Sequence, residues 1–130
     1  MLFTARASLT LLSFVLDSLA AIAGTTALLV GNTESRDVVR YDLATGDYRG
    51  VFIAAGTGGL LAPDDFLVGP DGLLYITSGA ADASPGQGVL RFDPRTGNFV
   101  DHFTKFPDGE NRFIRPYGAA FGADGRLYVA

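Results

Sequence analysis

The sequence predicts an all-β protein built from short antiparallel strands in a repeated four-strand cassette. Three observations carry this expectation. Two stretches recur along the chain at nearly one spacing, the turns between them hold Gly where a hairpin needs it, and the strand-like segments run only four to seven residues. The chain has 130 residues, about one domain's length, and 48% are hydrophobic, enough for a packed core. Its 17 Gly and 6 Pro follow no collagen period and mark many turns. A net charge of −4 with no basic cluster argues against nucleic acid as a partner, because phosphate contacts need Lys and Arg. Cys is absent, which excludes disulfides, thiolate catalysis and thiolate metal sites.

The chain opens on a leader over 1–23. Arg6 precedes the apolar run Ala7–Leu16, and Asp17-Ser-Leu-Ala-Ala-Ile-Ala23 follows. This is the plan of a secretory signal-peptide helix, cleaved after Ala23, with Ser18-Leu-Ala20 as a second cleavage candidate and an amphipathic or buried helix as the other reading. About ten apolar residues fall short of the ~20 that cross a bilayer, so no stable membrane span is expected after cleavage. The expected location is secreted, periplasmic or cell envelope, and a Cys-free exported chain fits a bacterial source.

Residues 24–130 hold the repeats. Val38-Val-Arg-Tyr-Asp-Leu-Ala-Thr-Gly-Asp-Tyr48 matches Val89-Leu-Arg-Phe-Asp-Pro-Arg-Thr-Gly-Asn-Phe99 at an offset of 51, and both lead to an aromatic, Phe52 and Phe103. Pro63-Asp-Asp-Phe-Leu-Val-Gly-Pro-Asp-Gly-Leu-Leu-Tyr-Ile76 matches Pro116-Tyr-Gly-Ala-Ala-Phe-Gly-Ala-Asp-Gly-Arg-Leu-Tyr-Val129 at an offset of 53. The unit is therefore about 50 residues.

In chain order, the first strand is Ala27–Gly31, which fits the Leu74-Tyr-Ile-Thr-Ser78 stretch of an incomplete earlier copy. Val38–Asp42 and Asp47–Ile53 follow, joined at Ala44-Thr-Gly46. Phe66–Gly69 opens the complete cassette. Gly69-Pro-Asp-Gly72 turns it into Leu73–Ser78, with Pro70 presetting φ and Gly72 free to be left-handed. Val89–Asp93, the Arg95-Thr-Gly97 turn and Asn98–Phe103 complete it, with Pro94 placed after the strand where it removes no ladder bond. Tyr117–Phe121, the Gly122-Ala-Asp-Gly125 turn and Leu127–Ala130 begin another copy. The strands are β-branched and aromatic, as a packed pleated surface favours.

Leu74 and Ile76 fall on one face of their strand, Leu73 and Tyr75 on the other. A sheet apolar on both faces must lie between neighbours, and four-stranded sheets stacked around an axis do this. The expectation is a partial β-propeller of about two blades, in strand order b-c-d, a-b-c-d, a-b, with a β-sandwich as the alternative. The cassettes, through Pro-x-x, Gly-Pro-Asp-Gly-Leu-Leu-Tyr-Ile and Val-Leu-Arg-Phe-Asp-Pro-x-Thr-Gly, resemble the NHL-type repeats of six-bladed propellers. That superfamily also holds gluconolactonase-like hydrolases and virginiamycin B lyase-like proteins, and the resemblance covers Ala27 to the end. It implies that nine strands are a truncated part of a longer six-bladed protein, against a short chain that self-associates. These motifs encode turns and packing, so they carry no chemistry by themselves.

By the same analogy, ligands meet the rim formed by 54–62, 79–88 and 104–115. Asp64 and Asp65 stand where the later cassette has Tyr117 and Gly118, and paired carboxylates there are candidate ligands for a hard cation such as Ca²⁺. Turn capping is the structural alternative. Asp82, Glu110, Asn111, Arg112 and Arg115 are the other rim candidates, the two Arg toward an anionic group. The Gly-rich 79–88 loop lacks the Lys of a phosphate loop. The resemblance implies a metal-holding Glu, Asn and Asp for the lactonases and a channel His for the lyases. No equivalent triad can be placed here, and the single His, His102, falls on an outer strand. Arg40 and Arg91, like Asp42 and Asp93, recur in register, which favours structural roles. The expectation is an exported scaffold that binds a protein, glycan or small ligand on its rim, with a lactonase-like or lyase-like enzyme whose catalytic residues lie elsewhere as the alternative.

Overall fold

A computed structural model describes residues 27–79, 87–104 and 115–130. The signal-peptide helix expected over 1–23, and the rim candidates Asp82, Glu110, Asn111 and Arg112, lie outside the described residues. The described chain is all-β, with one 3₁₀ turn at Thr57–Gly59.

Among the described residues nine strands form three antiparallel sheets. β1 (Ala27–Asn32), β2 (Asp37–Asp42) and β3 (Tyr48–Ile53) make the first sheet. β4 (Pro63–Val68), β5 (Leu74–Ser78), β6 (Gly88–Phe92) and β7 (Phe99–His102) make the second. β8 (Ala119–Phe121) and β9 (Leu127–Val129) make the third. Every neighbour in a sheet is its neighbour in sequence, and short hairpin turns join them except between β5 and β6.

The hairpin chemistry is as the repeats require. Gly46 and Gly97 hold φ of 76° and 73°, in the left-handed region that favours glycine. Asp42 Oδ1 accepts the amides of Ala44 and Thr45, and Asp93 Oδ1 accepts those of Arg95 and Thr96. The recurring aspartates are thus turn caps. The Arg49 guanidinium and these amides hold the Asp42 carboxyl below its usual range, and the capping amides do the same for Asp93.

Besides shifts of one or two residues at strand ends, two details differ from the expected strands. β4 starts at Pro63, three residues before Phe66, and its pairing with β5 shifts between Pro63 and Phe66. A bulge there lets two acidic residues sit in a strand that reads as loop. The register of β1 also moves by one: Leu28 opposes Tyr41 as Leu74 opposes Phe92, so Leu28, not Ala27, takes the place of Leu74. A one-residue slip swaps which side chains face which side.

The sheets pack face to face. Val38 and Ile53 of the first sheet and Leu60 of the linker meet Leu74, Ile76, Leu90 and Phe92 of the second in one buried cluster. Gly31 lies so near that a Cβ there would stand 2.5 Å from the Pro63 carbonyl oxygen. On its other side the second sheet meets the third. Tyr75 packs edge-on against Phe121 at 5.2 Å, and Thr77 Oγ1 donates to the Tyr117 carbonyl at 3.1 Å. All five residues of β5 are buried, so the two-faced apolar pattern reflects a sheet covered on both sides. A single two-layer sandwich would not bury it this way.

Arg91 shows why a charge recurs in the cassettes. It makes two 2.7 Å bonds to Asp101, a 3.0 Å bond to Asp71, and lies over the Tyr75 and Phe103 rings. Arg40 lies over Phe52 in the same way. His102 pairs across from Leu90 of β6 and packs edge-on against Phe99 of its own strand.

Candidate functional site

The start of β4 and the approach to β8 come together around Asp64, Asp65, Arg115 and Tyr117. The two adjacent carboxylates do different things. Asp65 Oδ1 accepts the Phe66 amide and Oδ2 accepts the Ala119 amide, both at 2.9 Å. Its own amide donates to Thr77 Oγ1. Asp65 is therefore a tie between the second and third sheets, across 54 positions of sequence.

Among the described residues Asp64 has no such partners. Its side chain is only 14% exposed, and its nearest opposite charge among them is Arg115, with Oδ2 to Nε at 3.9 Å. That is beyond hydrogen-bond reach. Both atoms are shielded from solvent and neither has a hydrogen-bond partner among the described residues. Burial raises the Asp64 carboxyl above its usual range, and the Arg115 charge offsets this only in part. Arg115 is held from its backbone. Its amide donates to Gln87 Oε1 at 2.9 Å, and its φ is 54°, uncommon for a residue with a side chain. Its guanidinium stacks 4.8 Å from the centre of the Tyr117 ring, which is itself 58% exposed.

Of the sequence candidates, the structure brings Asp64, Asp65 and Arg115 together, while Asp82, Glu110, Asn111 and Arg112 lie outside the described residues. Asp65 is already committed to the Phe66 and Ala119 amides. A cation held by both would have to draw Asp65 off two amides. Among the described residues no three His, Asp or Glu side chains gather as a metal-holding group. Tyr117 and Gln87 are site members that sequence reasoning did not single out. Tyr117 had a signal, since it aligns with Asp64 in the next cassette. Gln87 had none.

The raised Asp64 carboxyl has a testable sign. A folded value above the unfolded one means that native protein binds the proton more tightly, so stability falls as pH rises through the folded value. Asp64→Asn removes that charge. It is expected to match or exceed the parent at neutral pH, by on the order of 1 kcal/mol. The gain should shrink as pH falls toward the carboxyl's usual 3.8. Urea melts at a series of pH values would check this, and a variant less stable than the parent at neutral pH would contradict it.

Comparison with protein-family models, with curated proteins and with solved structures found no match for this chain. Among the described residues, no helix is long and apolar enough to cross a membrane.

Proposed function

We propose that the chain is part of an exported β-propeller of NHL-like cassettes that acts as a non-catalytic binding scaffold, and that its ligand sits on the rim where β4 and β8 begin. One observation carries this reading: a shielded carboxylate and a guanidinium nitrogen face each other at 3.9 Å with hydrogen-bonding capacity left over. Buried polar groups are normally satisfied, and a costly exception calls for a reason. A ligand hydroxyl suits the pair, because one O–H can donate to the Asp64 carboxylate and accept from the Arg115 guanidinium where those side chains stay exposed, 14% and 33%. The exposed Tyr117 ring beside them offers an apolar face for a sugar ring. Of the protein, glycan and small-ligand classes, a glycan fits this set best.

The stacked sheets support the scaffold part of the reading, since they hold Asp65 and Thr77 rigidly under the site. The test is ligand-observed NMR against a panel of mono- and oligosaccharides up to ~10 mM, in the weak range expected of a small polar site. Binding by the parent that drops at least tenfold in Asp64→Asn and in Tyr117→Ala supports the reading. No binding across the panel, or binding indifferent to both substitutions, overturns it.

A further inference from the structure

Among the described residues, two residues other than glycine hold a left-handed backbone, Arg36 at φ 60° and Arg115 at φ 54°. Arg36 lies in the turn between β1 and β2, with its amide on the Asn32 carbonyl at 2.8 Å, so its conformation belongs to that hairpin. Arg115 stands at the approach to β8 and directly precedes Pro116. A proline ring drives the residue before it toward extended backbone, so a left-handed residue there is disfavoured on two counts. Strain of this kind persists only where the surroundings over-determine it, and it gathers at binding sites.

Two groups from distant parts of the chain hold Arg115 in place. Gln87 is 5% exposed, and its Oε1 accepts the Arg115 amide at 2.9 Å across 28 positions of sequence. Gly79 supplies the room. A Cβ on Gly79 would overlap the Arg115 Cα and stand 2.9 Å from Pro116 Cδ. Gly79 is not itself left-handed, so the close approach of the Arg115 backbone is what requires a glycine there.

The φ of residue 115 sets the direction of its Cα–Cβ bond. With Arg115 left-handed, the guanidinium lies 4.8 Å from the centre of the Tyr117 ring and Nε lies 3.9 Å from Asp64 Oδ2. A return to extended backbone would turn that bond and carry the guanidinium away from both. The strain is not repaid by a hydrogen bond at Nε, which has no partner among the described residues. The backbone therefore places a charged group whose bonding capacity is left over.

We infer that Gln87 and Gly79 are positioning residues of the rim site: they fix Arg115 in its strained conformation and so present its guanidinium beside Asp64 and Tyr117 before a ligand arrives. The inference rests on the rim-binding reading above. Such preorganisation raises affinity, because the ligand need not order a long side chain.

The test compares the full-length parent with Gln87→Glu, Gln87→Met and Gly79→Ala. Glu keeps an oxygen acceptor for the Arg115 amide, whereas Met keeps the length without one. Two readouts are taken. Hydrogen exchange of the Arg115 Nε–H, followed by heteronuclear NMR, needs no ligand. Affinity is read against the same panel of mono- and oligosaccharides. Because Nε is shielded in the parent, its exchange is expected to quicken about tenfold in Gln87→Met and in Gly79→Ala. Affinity is expected to fall about tenfold in both, while Gln87→Glu stays close to the parent in both readouts. Exchange or affinity unchanged in Gln87→Met overturns the inference, and so does an equal loss in Gln87→Glu, which would mark a packing role alone. If Gln87→Met does not fold, Gly79→Ala decides, and unchanged exchange there overturns the inference. A parent that binds no saccharide overturns the rim reading and the inference with it; the exchange readout separates that failure from a failure of positioning.

Discussion

Phe92→Ala is expected to destabilise the fold by about 4 kcal/mol, within the ~3–5 kcal/mol typical of emptying a buried Phe site. Phe92 has no exposed surface and sits where the second sheet faces the first, between Leu74 across the ladder and Phe99 at its edge. Removing the ring leaves a cavity that the rigid ladder on either side cannot close. The matching change in the first sheet, Tyr41→Ala, touches a half-covered residue and is expected to cost less than half as much. Paired denaturant melts would read both. Equal losses would mean that the Tyr41 ring is packed as closely as that of Phe92.

Asp65→Ala is expected to cost about 3 kcal/mol. It strips two amides, those of Phe66 and Ala119, of a charged acceptor, and such bonds contribute ~1.5–3 kcal/mol each when the donor is left shielded. Asp65→Asn keeps an oxygen for one amide but turns an NH₂ toward the other, so it should fall between. A local readout separates this from general weakening. The Ala119 amide should exchange with solvent much faster in both variants, while the amides paired between β5 and β6 should slow or hold relative to it. If Ala119 exchange follows global unfolding alone, the carboxylate is not the tie between the sheets. The contrast with Asp64, whose removal is expected to cost nothing at neutral pH, makes neighbouring aspartates a matched pair: one holds the fold and the other is held against its own preference.

Much of the fold was legible because the turns are local. Asp, then Thr-Gly, four positions on, specifies a capped hairpin with a left-handed glycine, and both copies form it. The two-faced apolar pattern of Leu73–Ser78 likewise announced a sheet with neighbours on both sides. What could not be read depends on other sheets. Pro63-Asp-Asp looks like a loop until Thr77 and Ala119 supply partners for Asp65. The β1 register could not be fixed from Ala-Leu-Leu-Val, which is apolar in either phase and is decided by pairing with Val38–Asp42. Arg115 was singled out as a rim residue and Asp64 as a metal ligand, but their approach rests on a left-handed backbone at Arg115 and on a hydrogen bond from its amide to Gln87, neither of which leaves a mark in a single sequence.

The central claim is that successive cassettes stack face to face, each needing its neighbour. Gly46 and Gly97 test it most directly, because they hold the same place in the same turn with φ of 76° and 73°. A Cβ on Gly46 would meet nothing, whereas one on Gly97 would overlap the Phe52 carbonyl oxygen of the preceding sheet. Gly46→Ala should therefore lose only the ~1 kcal/mol of a strained left-handed alanine. Gly97→Ala should lose that and the clash as well, about 3 kcal/mol in all. That difference, read from denaturant melts of the two variants side by side, is what stacked sheets require; equal losses would mean that the sheets do not meet.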